Sequence, residues 1–109
     1  QHAAVAEYLR LESDWEASWM LTLRAAWMAD NKQPNSTEAS MSKAKAGRTV
    51  TELTNKAVEL AATAGYSETA LLEKWARDSK ILDIFEGTQQ IQQLIIARRI
   101  LGKSSADLK

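Results

Sequence analysis

Ile84-Phe85-Glu86-Gly87-Thr88-Gln89-Gln90-Ile91-Gln92 is the stretch on which the reading of this chain turns. It closes one amphipathic helix and opens another. It sets one carboxylate between two large apolar residues on one side and a glycine and a hydroxyl on the other. A glutamate flanked by apolar groups is costly to keep ionised, which is the setting of a general base. Gly87 lets a ligand approach the backbone closely. Thr88 is placed to cap the next helix, whose free N–H groups suit an anionic or carbonyl ligand. The same residues also read as a plain joint between two helices with an incidental glutamate.

Working outward, helix-forming residues dominate, the chain holds one proline and four glycines, and no alternating strand pattern is present. A first helix is expected over residues 3–31. Trp15, Trp19, Leu23, Ala26 and Trp27 recur there at helical spacing and predict a buried stripe. Lys32-Gln33-Pro34 ends it, because the residue before proline is pushed out of helical geometry. Asn35, with Glu38 three residues on, predicts a capped second helix. Its inward face is read as Ala46, Val50, Leu53, Ala57, Leu60 and Ala64, with Gly65 as the C-cap. Ser67 is placed to cap a short third helix carrying Leu71 and Trp75. Thr88 opens a fourth with Ile91, Leu94, Ile95 and Arg98 on adjacent turns, and Gly102 stops it before a polar tail. Short joints between helices of this length predict an all-α, up-and-down four-helix bundle in a single domain over residues 1–109.

Composition excludes several classes. Fourteen basic against fourteen acidic side chains give a formal net charge of zero, scattered along the chain, so a nucleic acid is not the expected partner. No apolar run approaches the roughly 20 residues of a membrane span. No charged-then-apolar leader opens the chain, and Asn35-Ser36-Thr37 reads as a chance sequon. With no cysteine and one histidine, His2, no metal site is expected. The opening at Gln1, without methionine and directly in helical sequence, suggests part of a longer protein.

The run Arg77-Asp78-Ser79-Lys80-Ile81-Leu82-Asp83-Ile84-Phe85-Glu86-Gly87-Thr88-Gln89-Gln90-Ile91-Gln92, followed by Ile96-Ala97-Arg98, resembles the C-terminal signature of the acyl-CoA dehydrogenases, roughly R-D-A-K-I-x-x-I-Y-E-G-T-x-x-I-Q-R-x-x-I-A-R. Leu21-Thr22-Leu23-Arg24-Ala25-Ala26-Trp27 resembles the family's L-x-Y-R-A-A-W helix, and Met41-Ser42-Lys43-Ala44-Lys45-Ala46 its M-A-K-x-x-A. The resemblance spans nearly the whole chain but only the C-terminal helical domain of the family's protein.

What the resemblance implies is an FAD-dependent oxidoreductase acting on an acyl-CoA thioester. A glutamate takes the α proton while the flavin accepts the β hydride. By position Glu86 corresponds to the catalytic base. Gly87 and Arg98 correspond to substrate-binding positions, the latter toward the CoA moiety. Thr88, Gln89 (through its backbone) and Gln90 correspond to FAD contacts. Thr88 also serves as a simple cap, and Arg98 as a structural cation. Arg77 and Asp78 are expected to form a structural ion pair. The family further implies an electron-transfer flavoprotein as partner, a homo-oligomer (dimer or tetramer), and a bacterial cytoplasm or, less favoured, a mitochondrial matrix. A non-catalytic helical assembly module of the same descent is the alternative.

Two departures stand out. Where the family has Q-x-x-G-G-x-G against FAD, this chain reads Glu59-Leu60-Ala61-Ala62-Thr63-Ala64-Gly65, and a glutamate facing a pyrophosphate would repel it. Phe85 replaces a common tyrosine, keeping the apolar wall without the hydroxyl.

Overall fold

A computed structural model describes residues 2–61 and 71–107. Helix α1 spans His2–Asp30, α2 Ser36–Ala61, α3 Leu72–Ile84 and α4 Gln89–Leu101, with a single 3-10 turn at Ser105–Asp107. No strand occurs among the described residues. The all-α bundle is as expected, and the ends of α1 fall within a residue of their reading. Helix α2 is the hub, with α1, α3 and α4 each packed along it. Gly65 and Ser67, read as a C-cap and an N-cap, lie outside the described residues.

The joints follow local chemistry. After α1, Gln33 N–H bonds the Met28 carbonyl at 2.8 Å, and Lys32 takes a positive φ of 56°. Asn35 does not close a capping box with Glu38. Its side-chain amide donates to the Ala25 carbonyl of α1 at 2.8 Å, tying the turn to the helix it leaves. Helix α3 starts behind Leu71 at φ 65°, without a side-chain cap. Gly102 ends α4 at φ 65°, its N–H directed to the carbonyls of Arg98 and Arg99. That is the left-handed C-cap geometry glycine favours.

The interior overturns one reading. Trp15, Trp19 and Trp27 do not form a buried stripe; they are 51%, 51% and 58% exposed, and Leu23 and Ala26 are exposed too. The buried residues of α1 are Leu11, Ser18 and Ala25, spaced one heptad apart. Small groups on that line let the backbones approach, and the indoles overhang the contact instead of filling it. Trp15 and Trp19 stack on each other, ring centroids 6.4 Å apart and planes 5° from parallel.

The expected inward face of α2 is replaced in the same way. Its buried residues are Ser40, Gly47, Thr49, Thr54 and Val58; Ala46, Val50, Leu53 and Ala57 are half-buried, Leu60 is exposed, and Ala64 is outside the described residues. A helix packed on several sides has no single apolar face. Across the contacts run paired hydroxyls: Ser18 to Thr49 at 3.2 Å and Thr22 to Ser42 at 2.7 Å between α1 and α2, and Thr54 to Ser79 at 3.1 Å between α2 and α3. Among the described residues no buried side-chain polar atom lacks a partner. The buried apolar side chains among the described residues are Leu11, Ala25 and Val58 alone.

Hydrocarbon therefore lies outside. A compact chain of this size exposes about 6,000 Å², whereas this one exposes 7712 Å² and has a radius of gyration of 16.6 Å. Between α1 and α2 an apolar groove of about 420 Å³ is lined by Tyr8, Leu11, Trp15, Leu53, Ala57 and Leu60.

Candidate functional site

Helix α3 gives way to α4 within four residues. Phe85 is the C-cap of α3, extended at φ −70° and ψ 157°, its N–H on the Ile81 carbonyl at 2.9 Å. Glu86 then takes φ 55° and Gly87 φ 105°. Thr88 returns to extended geometry, and its side-chain oxygen accepts the Ile91 N–H at 3.3 Å, the expected N-cap. A non-glycine residue in the left-handed region is uncommon and, when its surroundings hold it there, points to a functional constraint.

The surroundings hold it firmly. Gln92, one turn into α4, donates its amide to the Glu86 carbonyl at 3.1 Å. A Cβ on residue 87 would push that amide aside, and the φ of 105° is itself one that favours glycine. Lys43 on α2 donates its ammonium to the Gly87 carbonyl at 3.1 Å, and its Nζ lies 5.9 Å from the centre of the Phe85 ring. Gln89 is buried; its amide donates to the Ala44 carbonyl of α2 and to Oδ1 of Asp83 at 2.7 Å. Lys80 lies 3.9 Å from the other Asp83 oxygen.

Glu86 is exposed at the tip of this corner, beside Ile84 and Phe85, themselves 51% and 47% exposed. The apolar flank read from the sequence is present. The water exclusion that would make it matter is not supplied by the described residues. Gln90 is exposed on the first turn of α4, and Thr88 is half-buried. Glu86, Gly87, Thr88, Gln89 and Gln90 are thus brought together, although the Gln89 side chain faces inward.

Arg98 is elsewhere. It lies nine residues along α4 from Gln89, roughly 14 Å by helical rise, in a cleft shared with Ser36, Ile95, Arg99, Lys103 and Ser104. Glu59, the departure in the glycine segment, is exposed and paired with Lys56 at 2.6 Å. Arg77 and Asp78 do not form a pair with each other. Arg77 bonds Glu73 and Asp78 bonds Lys74, because residues four apart share a helix face and consecutive ones diverge. Among the described residues there is no cluster of metal-ligating side chains, and no helix is long and apolar enough to cross a membrane.

Sequence reasoning missed Lys43, Asp83 and Gln92 as the fixings of the corner. The signal for Gln92 was its spacing behind the glycine. For Lys43 no local signal exists, since it is 44 residues from its partner.

The fold and the corner define a class: an all-α bundle with an exposed glutamate on a strained, clamped joint between its last two helices. Residues 1–101 match the family model described as the acyl-CoA dehydrogenase C-terminal domain. The chain belongs to that family. It is similar to the bovine mitochondrial short-chain specific acyl-CoA dehydrogenase, 38% identical over 86 residues, or 79% of this chain and 21% of that protein. It is also similar to the CarC subunit of the caffeyl-CoA reductase–Etf complex of Acetobacterium woodii, 38% identical over 81% of this chain and 23% of that one. Among solved structures, butyryl-CoA dehydrogenase of Megasphaera elsdenii matches with a TM-score of 0.81 at 29% identity, covering 83% of this chain and 24% of that chain. The chain spans about a fifth of the length of the curated relatives it matches.

Proposed function

We propose that the chain works as the C-terminal helical part of an FAD-dependent acyl-CoA dehydrogenase and that Glu86 is its base, taking the α proton of a bound acyl-CoA thioester. The observation that carries this reading is the corner itself: a glutamate held at φ 55° with its own carbonyl and that of Gly87 both tied down. A carboxylate used only for solubility needs no such clamp.

The residues present fit an FAD edge in part. Thr88 uses its hydroxyl oxygen as an acceptor in the cap, which leaves the hydroxyl proton to donate outward. Gln90 is exposed beside it, and the first-turn N–H groups of α4 are those a helix leaves without internal partners. Gln89 offers only backbone, its side chain being engaged inward. FAD, when bound, supplies the acceptor for the β hydride. This chain supplies the base, its orientation and, at Gly87, close backbone approach for the thioester. Closure of the site by other parts of a longer polypeptide, together with the acyl chain, would exclude water from Glu86 and strengthen it as a base. Arg98, far from the corner, suits the CoA end of an extended substrate.

An electron-transfer flavoprotein as partner is supported by the relative that is a subunit of an Etf complex. A homo-oligomer is supported by the apolar exterior, and a bacterial cytoplasm or mitochondrial matrix by the relatives' sources. The same exterior favours, as second reading, an assembly module without turnover.

The test is Glu86→Gln in the full-length protein. The near-isosteric amide should keep fold, flavin and acyl-CoA binding. It should slow flavin reduction by at least about a hundredfold, the lower end for losing a positioned general base. Reduction at the parental rate would remove Glu86 from the reaction; no reduction of the parental protein by any acyl-CoA would favour the assembly module.

A further inference from the structure

We infer that Lys43 is a positioning residue for Glu86, an inference that rests on the reading of Glu86 as the base. The corner at Glu86 and Gly87 has two carbonyls that must be fixed for the carboxylate to point one way. Gln92 holds the first, but it sits six residues on, at the start of α4, and moves with that helix. Lys43 holds the second from α2, the helix on which the others pack. It ties the residue directly after the strained Glu86 to the hub. Its bond is charge-assisted, an ammonium donor on a carbonyl oxygen, and so stronger than the amide bond of Gln92. The Phe85 ring, 5.9 Å from the Nζ, adds a cation–π contact on the residue preceding Glu86. Lys43 is half-buried, which limits competition from water for its protons. One ammonium thus grips both neighbours of Glu86 in sequence, Phe85 through its ring and Gly87 through its carbonyl.

A residue held in the left-handed region keeps that geometry only while its surroundings over-determine it. Releasing the Gly87 carbonyl frees the peptide between Gly87 and Thr88, which loosens Gly87 at its φ of 105° and leaves the neighbouring left-handed Glu86, and with it the carboxylate, held from one side only. Displacements of about 1 Å at a reacting group are enough to lower a rate by up to about a hundredfold.

The experiment compares Lys43→Met, Lys43→Arg, Glu86→Gln and the Lys43→Met/Glu86→Gln double variant in the full-length flavoprotein. Anaerobic flavin reduction is followed with whichever saturated acyl-CoA of a butyryl-to-palmitoyl series reduces the parental protein fastest. Lys43→Met should lower the limiting rate about tenfold or more while flavin content and acyl-CoA affinity hold. Lys43→Arg should recover most of it. In the Glu86→Gln background, Lys43→Met should change nothing further, because residues that act as one unit are not additive. Hydrogen exchange at residues 85–88 should quicken in Lys43→Met, a readout independent of turnover. A parental rate in Lys43→Met, or losses that multiply in the double variant, would overturn the inference while leaving Glu86 as the base. A parental rate in Glu86→Gln would remove the base reading itself, and this inference with it. If Lys43→Met does not fold, Lys43→Gln decides by the same criteria, and failure of both to fold assigns Lys43 to stability and overturns the inference.

Discussion

Gly47 on α2 lies so close to Asp83 on α3 that a methyl group on it would sit 2.7 Å from the Asp83 Oδ1 and 3.0 Å from its Cα. The same Oδ1 accepts the Gln89 amide, so the closest approach of two helices and the fixing of α4 share one atom. Gly47→Ala would gain up to about 1 kcal/mol from helix propensity alone. Overpacking of this kind costs about 1–3 kcal/mol, and a backbone Cα cannot step aside as a side-chain tip can. The expected outcome is a net loss of up to about 2 kcal/mol in urea unfolding, with slower flavin reduction in the full-length protein. A variant as stable as the parent would mean that α2 and α3 can separate freely.

Glu86→Asn tests the strain. The left-handed region costs an ordinary residue about 1–2 kcal/mol, and asparagine tolerates it better. We expect unchanged or improved stability, by up to about 1 kcal/mol, together with loss of flavin reduction. A clear fall in melting temperature would show that the φ of 55° at this residue is not strained.

The apolar exterior predicts association of the isolated chain. Trp15, Trp19, Met20 and Trp27 on α1 are all more than half exposed, and large apolar patches mark interfaces. Sedimentation at tens of micromolar, a range of about 6–7 kcal/mol in affinity, should show dimers or larger species. A clean monomer there would count against it.

Charge ties α1 to α2. Arg10 contacts Glu7 at 2.8 Å, Asp14 at 3.0 Å and Glu52 at 3.2 Å, and Lys45 contacts Asp14 at 2.9 Å. The Arg10 hydrogen bond holds Glu7 below its usual carboxylate range, and the Lys45 hydrogen bond does the same for Asp14. Lowered folded values mean stability present above the unfolded carboxylate pKa and lost as pH falls through the folded one. The melting temperature should therefore be level at neutral pH and fall below about pH 4. Molar salt should flatten that dependence, since these groups face solvent. A midpoint insensitive to acid would leave the network without a role in stability.

The helices, the stop after α1 and the caps of α4 were legible because each rests on local chemistry, whereas the Asn35–Glu38 capping box and Leu71 inside α3 were not met. Pro34, Thr88 and Gly102 act on their own turns, and the motif around Glu86 is contiguous. The interior was not legible, for a physical reason. Helical periodicity reports which face is apolar, and the usual inference is that this face is inward. Here the contacts are made by Ser18, Thr49, Thr54 and Ser79, while the tryptophans face out. The fixings of the corner were hidden for a different reason: Lys43 and Ala44 reach it from the other side of the chain, and a single sequence carries no record of distance.

The paired hydroxyls place a constraint on how this domain can drift over generations. Ser18 faces Thr49, and Thr54 faces Ser79, each in a space sized for two small side chains. Neither member can enlarge to leucine unless its opposite number shrinks, and valine, isosteric with threonine, gives up the hydroxyl. Either can pass to alanine only by removing the other's partner, although Ser18, Thr54 and Ser79 each also bond a carbonyl of their own helix one turn back. That fallback makes exchange between serine and threonine nearly neutral while blocking bulkier replacements. Among descendants of this chain these positions should vary in couples, with the helix spacing they set inherited more faithfully than the residues themselves.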